Sequence, residues 1–288
     1  MVIVEKDKCV GCGLCAKICH EQCIRLNNHN KIEINHFLCS TCTQCIAICP
    51  LQALSWEGIP PAVFEKERIP TSAQLEELFK ERRTVRDYKK TPIDRALLEE
   101  IIQIGIYAPT NNYNLKAIVV DDPAMMREFD AIILRYVSLV YNLFYKPEIL
   151  FKVLSAITPL VTAKQKVKLE TGLKRGSAFE SMPAATIFIV GDARILESET
   201  SAQYALYNMI LCAQVKGIGS RISAAGMLTL DRNRAVRKNL NLRRHEHILA
   251  NLDLGYPAVR FRNKVEGKHM PVVWAGEKSH GSYPAISR

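Results

Sequence analysis

The run CVGCGLCAKIC (residues 9–19) returns as CSTCTQCIAIC (residues 39–49), and Pro50 follows the second copy. Of the chain's 10 cysteines only Cys23 and Cys212 stand outside these two runs, each of which is spaced CxxCxxCxxxC. Neighbours at this spacing make poor disulfide partners, because a bridge requires close Cα atoms with converging Cβ vectors. Zinc sites typically present separated CxxC pairs, often with histidine. Here three cysteines share one tight loop and a fourth follows after three residues. Such a loop suits three corners of an iron–sulfur cubane, while the fourth cysteine, ending the next short helix, reaches the other cluster. The spacing therefore predicts two [4Fe-4S] clusters with crossed ligation. Cys9, Cys12, Cys15 and Cys49 would hold one, and Cys39, Cys42, Cys45 and Cys19 the other.

This spacing resembles that of bacterial two-cluster ferredoxins. Residues 1–55 are accordingly read as a two-cluster ferredoxin domain that conducts single electrons and does no substrate chemistry. Pro50 after Cys49 fits the pattern, whereas Cys19 is followed by His20. Cys23 is either an alternative ligand or a small buried side chain. Cys212 lies on an apolar helix face and is expected in the core.

The rest of the composition is that of a globular protein: 288 residues, 48% hydrophobic and 24% charged. The opening MVIVEKDK carries charges where a signal peptide needs an apolar run, so the cytoplasm is the expected compartment. AIILRYVSLVYNLFY (131–145) and EILFKVLSAITPLVTA (148–163) are the most apolar stretches, but Arg135 and Lys152 interrupt them. Neither offers the roughly 18 uninterrupted apolar residues of a spanning helix; buried or lid helices are expected, with a helix lying on a membrane surface the weaker alternative. The formal charge of +10 is spread along the chain instead of gathered in a patch, which argues against nucleic acid. Anionic thiolate clusters and a phosphate-bearing cofactor would offset part of that excess.

Residues 56–72, with three prolines and no sustained periodicity, read as a linker. Thr71 and Gln74 form a candidate capping box for a helix bearing Leu75, Leu78 and Phe79. Pro92 is expected to open a second helix, with Leu97, Leu98, Ile101 and Ile102 on its apolar face. Strands are expected at 116–120, 185–190, 218–223 and 247–254, and a long helix at about 199–216 ending at Gly217. Strands and helices mix without a regular βαβ repeat, which gives an α+β domain over residues 73–288. Within it, residues 124–180 read as a helical insert rich in aromatics (Tyr136, Tyr141, Phe144, Tyr145, Phe151), either core and dimer contacts or a lid.

From about residue 73 onward the chain resembles the nitroreductase superfamily of flavin enzymes. RRTVRDY (82–88) is similar to the family's opening Arg-Arg-Ser-x-Arg-x-Phe element, which binds the FMN phosphate and the flavin edge. The resemblance implies Arg82, Arg83, Thr84 and Arg86 as cofactor contacts. APTNNYN (108–114) resembles the Ala-Pro-Ser/Thr loop, implying Pro109, Thr110, Asn112 and Asn114, in a loop one residue shorter than usual. GIGSRISAAGM occupies the place where family members present a backbone N–H to the reactive flavin nitrogen, implying Ala225 and Gly226. LDLGYPAVRFRNK is similar to the Gly-Tyr-Pro element whose following basic residues return to the phosphate, implying Arg260 and Arg262. A further basic position of the family falls at Gly267, so its role is either unfilled in this chain or passes to Lys264 or Lys268.

Taken together the motifs resemble ferredoxin-fused nitroreductases of anaerobic bacteria and archaea. The resemblance implies an α+β homodimer with FMN at its interface and contacts from both subunits. It also implies an oxidoreductase passing electrons from an external donor, ferredoxin or NAD(P)H, through two [4Fe-4S] clusters to FMN. The final acceptor would be a small organic molecule of the nitroaromatic, quinone or enoate type. The alternative is a non-enzymatic electron-transfer subunit that relays charge within a larger complex. No GxGxxG follows a strand, so a dedicated Rossmann site is not expected, and none of the histidines is assigned a catalytic role.

Overall fold

The computed structural model describes residues 1–109, 114–267, 269, 270, 272 and 274. The cysteine-rich part is built as a doubled unit. Strand β1 (Val2–Val4), helix α1 (Leu14–Ile18) and strand β2 (Ile24–Leu26) are followed by β3 (Ile32–Ile34), α2 (Gln44–Ile48) and β4 (Leu54–Trp56). Each half pairs across the repeat: β1 runs antiparallel to β4, and β2 to β3. The backbone repeats as closely as the sequence. Left-handed residues recur at Gly11 and Thr41, at Gly13 and Thr43, and at Gln22 and Gln52. Val2, Ile24, Ile32 and Leu54 fill a small core with Cys9, Cys15, Cys23, Cys45 and Ala53. A core of this size is marginal on its own.

Trp56, expected in the linker, pairs with Val2 and forms a bridge to Ile59. The cysteine-rich unit therefore extends past the expected boundary, because closing the β1–β4 pair requires it. From there to Pro70 the chain has only a 3₁₀ turn at Lys66–Arg68.

Helix α3 (Ser72–Glu81) starts at the expected capping box: Thr71 Oγ1 accepts from the Gln74 N–H, and the Gln74 side chain returns to the Thr71 N–H. Helix α4 (Arg95–Gln103) begins later than Pro92, because Asp94 caps it by accepting from the Ala96 N–H at 2.7 Å. A side-chain acceptor satisfies an orphan amide that proline cannot. A 3₁₀ turn (Ile104–Tyr107) leads to strand β5 (Lys116–Val120) and helix α5 (Pro123–Val140), which has Asp122 at its N-cap. A π-helical turn (Tyr141–Tyr145) joins α5 to helices α6 (Glu148–Ile157) and α7 (Ala163–Arg175). Strand β6 (Ala185–Asp192), helix α8 (Ser198–Val215), strand β7 (Gly219–Ile222), helices α9 (Ala224–Asp231) and α10 (Arg234–Asn239), and strand β8 (Glu246–Gly255) complete the order.

The four strands form one antiparallel sheet in the order β5-β6-β8-β7. Helices cover both faces, which explains the unbroken apolar runs of β6 and β8. On one face Ile187, Ile189, Leu252 and Leu254 pack against α4 and α8 through Leu98, Ile101, Leu206 and Met209. On the other, Phe188, Val190 and Ile248 pack against α5 through Met126, Phe129 and Ile133, and against α9 through Leu230. Phe129 meets Phe188 edge-on at 6.0 Å. Helix α5 is thus a core helix, which corrects its assignment to an insert; its apolar stripe is what buries the sheet. Beyond it, α6 leaves Ile149, Val153 and Ile157 exposed. Of the aromatics in this stretch, Tyr145 is buried and stacks obliquely on Phe151 at 5.9 Å, whereas Tyr136 and Phe144 are exposed. Cys212 is half-buried against the α4/α8 face of the core. No helix among the described residues is long and apolar enough to cross a membrane.

Candidate functional site

The loops ahead of α1 and α2 turn through left-handed backbone and gather the cysteines around two cavities. Cys9, Cys12, Cys15 and Cys49 line one. Cys19, Cys39, Cys42 and Cys45 line the other, which has a volume of about 300 Å³ and also receives Cys23, His20 and Glu21. Each cavity thus draws three cysteines from one run and one from the other, because α1 and α2 pack together and carry Cys19 and Cys49 across the repeat. Among the described residues no three His, Cys, Asp or Glu side chains converge on a single metal ion. The thiols surround a volume instead, and that geometry fits a multi-iron cluster. Burial pushes the Cys15 thiol up and raises Cys45 to about 11. Iron must therefore displace protons from these sulfurs on binding. Cys49 Sγ accepts the Ala53 N–H at 3.3 Å, and the Lys31 ammonium donates to the Cys9 carbonyl.

The second region is assembled at the β7 edge of the sheet. After α3, Thr84 forms a parallel bridge to Ser220 of β7, and the Val85 N–H donates to the Ser220 carbonyl at 3.0 Å. Tyr88 bridges to Pro257 just past β8, flanked by Lys89 N–H to the Tyr256 carbonyl and Ala258 N–H to the Asp87 carbonyl. Two glycines permit this close seating. A Cβ on Gly219 would lie 2.7 Å from Val85, and one on Gly255 would lie 2.5 Å from the Tyr88 ring. Tyr88 is buried, its hydroxyl donates to the Val85 carbonyl at 2.8 Å, and burial raises its pKa. It keeps its proton near neutral pH.

Residues 82–88, the β7–α9 junction and residues 256–264 therefore share one edge. The guanidinium groups of Arg82, Arg86, Arg260 and Arg262 make no hydrogen bond or ion pair with described residues. Arg86, Arg260 and Arg262 are exposed, and Arg82 is half-buried. Arg83 is engaged differently: its Nη1 donates to the Lys80 and Arg82 carbonyls and ties down the end of α3. Lys264 is paired with Glu77 at 3.0 Å, and Lys268 lies outside the described residues. Ser223 caps α9 by accepting from the Gly226 N–H at 3.4 Å. Of Ala225 only the backbone is described, in the first turn of α9.

Beneath this edge lies a buried network. Arg221 of β7 binds Asp253 of β8 at 2.8 Å and Glu180 at 2.9 Å, Thr186 of β6 donates to Asp253 at 2.8 Å, and Arg221 lies 4.7 Å over the Phe179 ring. It pins β7 to β8 and so holds the platform on which Thr84 rests.

Asn114 is elsewhere. It precedes β5 at the opposite edge, where its Nδ2 donates to Ser198 Oγ at 3.0 Å and its Oδ1 is buried with no partner among the described residues. Three inter-strand steps separate the two edges, about 14 Å. Pro109 ends the described part of its loop; Thr110 and Asn112 lie outside the described residues. One chain therefore does not unite Asn114 with the arginines. Guanidiniums without a partner among the described residues on one edge, and an amide oxygen likewise without one on the other, are chemically suited to a phosphate and to a heterocycle's N–H respectively. Ser223, Gly219 and Gly255, which shape this edge through a helix cap and two close backbone approaches, are positions that sequence reasoning misses. The Gly-x-Gly and Gly-Tyr-Pro spacings carry that signal only once the strands are known to lie beneath residues 84–88.

A family model described as "4Fe-4S dicluster domain" matches residues 8–53, and one described as "Nitroreductase family" matches residues 79–256. A ferredoxin of Pyrobaculum islandicum is 32% identical over 67 residues, 23% of this chain and 63% of the ferredoxin, so the chain covers less than two thirds of that relative. An NADH dehydrogenase of Thermus thermophilus is 28% identical over 192 residues, 62% of this chain and 83% of that protein. A nitroreductase structure with bound FMN from Bacteroides fragilis superposes with a TM-score of 0.52 at 19% identity, covering 70% of this chain and 99% of that one, which is a likeness of fold. With more than half its length under one family model, the chain belongs to the nitroreductase family and carries a 4Fe-4S dicluster domain ahead of that fold.

Proposed function

We propose that the chain is an FMN-dependent oxidoreductase that takes electrons through two [4Fe-4S] clusters and delivers them to a small organic acceptor. The observation that carries the reading is the grouping of cysteines, three from one run and one from the other, around each of two cavities in the same chain as a nitroreductase fold. Cys9, Cys12, Cys15 and Cys49 are proposed to hold one cluster, and Cys39, Cys42, Cys45 and Cys19 the other.

When bound, FMN accepts electrons singly and passes them on in pairs, the conversion that one-electron clusters require of their partner. The chain's own groups bind and orient it. Arg82, Arg86, Arg260 and Arg262, unpaired among the described residues, offer guanidinium donors to a phosphate. Thr84 is fixed by its bridge to β7, and the amides at Ala225 and Gly226, opening α9, are proposed to face the flavin's reactive side. Asn114 Oδ1, buried without a donor among the described residues, is proposed to accept a hydrogen bond from FMN held by the partner copy. A homodimer follows from that division of contacts. Tyr88 stays protonated and enclosed, so the proton for the acceptor is assigned to solvent. The external donor is proposed to be a ferredoxin or NAD(P)H, and the relative described as an NADH dehydrogenase supports the second.

The test is anaerobic turnover with a reduced low-potential ferredoxin, or with NADH, against a nitroaromatic, a quinone and an enoate. Saturable, multiple-turnover reduction of at least one acceptor is expected, with ferredoxin-driven turnover lost in Cys42→Ala. If no small acceptor reoxidises the reduced protein while a second protein does, the chain is a relay subunit instead.

A further inference from the structure

Five cysteines, not four, surround the larger cavity. Cys23 is only 4% exposed, and its Sγ stands 3.3 Å from Cys19 Sγ. The internal repeat supplies a comparison within the same molecule. Four positions after the last cysteine of each run stand Cys23 in the first copy and Ala53 in the second. Both follow a left-handed glutamine, Gln22 or Gln52, each with φ of 50°. The N–H of that glutamine donates to the carbonyl of Cys19 at 3.1 Å in one copy and of Cys49 at 3.2 Å in the other. Ala53 is 2% exposed. A methyl group therefore satisfies this buried position in one half of the unit, and the thiol in the other half is more than packing requires.

We propose that Cys23 is a positioning residue for the cluster held by Cys39, Cys42, Cys45 and Cys19, with its S–H donating to the Cys19 sulfur. The inference rests on the reading that these cysteines ligate a cluster. With Cys19 bound as a thiolate, Cys23 is the partner left with a proton, so the direction of the hydrogen bond follows. Reduction adds one electron to the cluster and with it negative charge on the ligating sulfurs. A donor to one of those sulfurs stabilises the reduced form more than the oxidised form. No bond is made or broken, and Cys23 keeps its proton throughout. The consequence is a cluster whose midpoint potential is higher than it would be with alanine at position 23, while the cluster next to Ala53 is untouched.

The experiment compares the full-length native chain with Cys23→Ala and Cys23→Ser, purified anaerobically, by iron quantitation and EPR-monitored redox titration. Cys23→Ala copies the molecule's own second half, so native iron content is expected. Its titration is expected to show one of the two cluster midpoints moved to lower potential and the other unmoved. Cys23→Ser, which keeps a donor, is expected to move the same midpoint by less. Two unchanged midpoints in Cys23→Ala overturn the proposal. Loss of half the iron in both variants also overturns it, by making Cys23 a ligand; if only Cys23→Ala loses iron, the Cys23→Ser midpoint decides by the same criterion. A native chain without iron refutes the cluster reading itself and is told apart by its absent signal.

Discussion

Thr41 and Thr43 hold left-handed backbone, φ 57° and 59°, where the first copy of the repeat uses Gly11 and Gly13. A β-branched residue there costs about 1–2 kcal/mol. Thr43 is exposed and, among the described residues, its hydroxyl reaches only the adjacent Cys42 carbonyl, so Thr43→Gly is expected to stabilise the cluster-loaded protein by about 1 kcal/mol in anaerobic denaturant titration. Gly11→Ala should do the reverse, because its Cβ would fall 2.0 Å from the Asn30 carbonyl. The arginines divide in a similar way. Replacing Arg82 or Arg86 by alanine removes a guanidinium that no described residue uses, and is expected to weaken FMN retention about tenfold or more with little change in stability. Arg83→Ala should lower stability as well, since that side chain holds the end of α3. Fluorescence release of flavin and thermal melts separate these outcomes.

At the scale of elements, the edge proposed to hold the flavin depends on how residues 84–88 lie against β7 and β8. Gly219→Ala and Gly255→Ala would each force Val85 or Tyr88 away from the sheet. A loss of about 1–3 kcal/mol is expected from each, accompanied by weaker flavin binding, whereas Gly176→Ala, facing open space in α7's C-cap, should leave the flavin in place. Arg221→Met removes the partner of the buried Asp253 and is expected to cost about 3–5 kcal/mol, read as a shifted denaturant midpoint. The strands themselves are legible in the sequence because β6 and β8 are buried on both faces and show as apolar runs. Their order is not, since the insertion of β8 between β6 and β7 depends on contacts far apart in the chain. Helix α4 does not start at Pro92, because an Asp94 cap outweighs a proline placed two residues earlier. Helix α5 is read as part of an insert because the aromatic-rich turn and α6 that follow it in the chain continue its apolar run, although its own Met126, Phe129 and Ile133 form an ordinary core stripe.

For the whole molecule, the two proposed cofactor regions differ in how far the sequence discloses them. The proposed cluster ligands lie in two short runs, and their spacing alone points to the chemistry. The proposed flavin contacts come from segments about 30 to 180 residues apart, each a few residues long, and only resemblance to a family links them. The structure adds that Arg82–Thr84 and Asn114 occupy opposite edges of one sheet. A dimer in solution is therefore expected by light scattering, with flavin content falling on dilution below its dissociation constant. Conduction of electrons from clusters to a flavin within one chain is tested by anaerobic purification, iron, sulfide and FMN quantitation, and dithionite titration of the same sample. About eight irons and one FMN per chain are predicted, with cluster and flavin signals exchanging electrons during the titration. Iron without flavin, or a flavin that stays oxidised while the clusters are reduced, would contradict it.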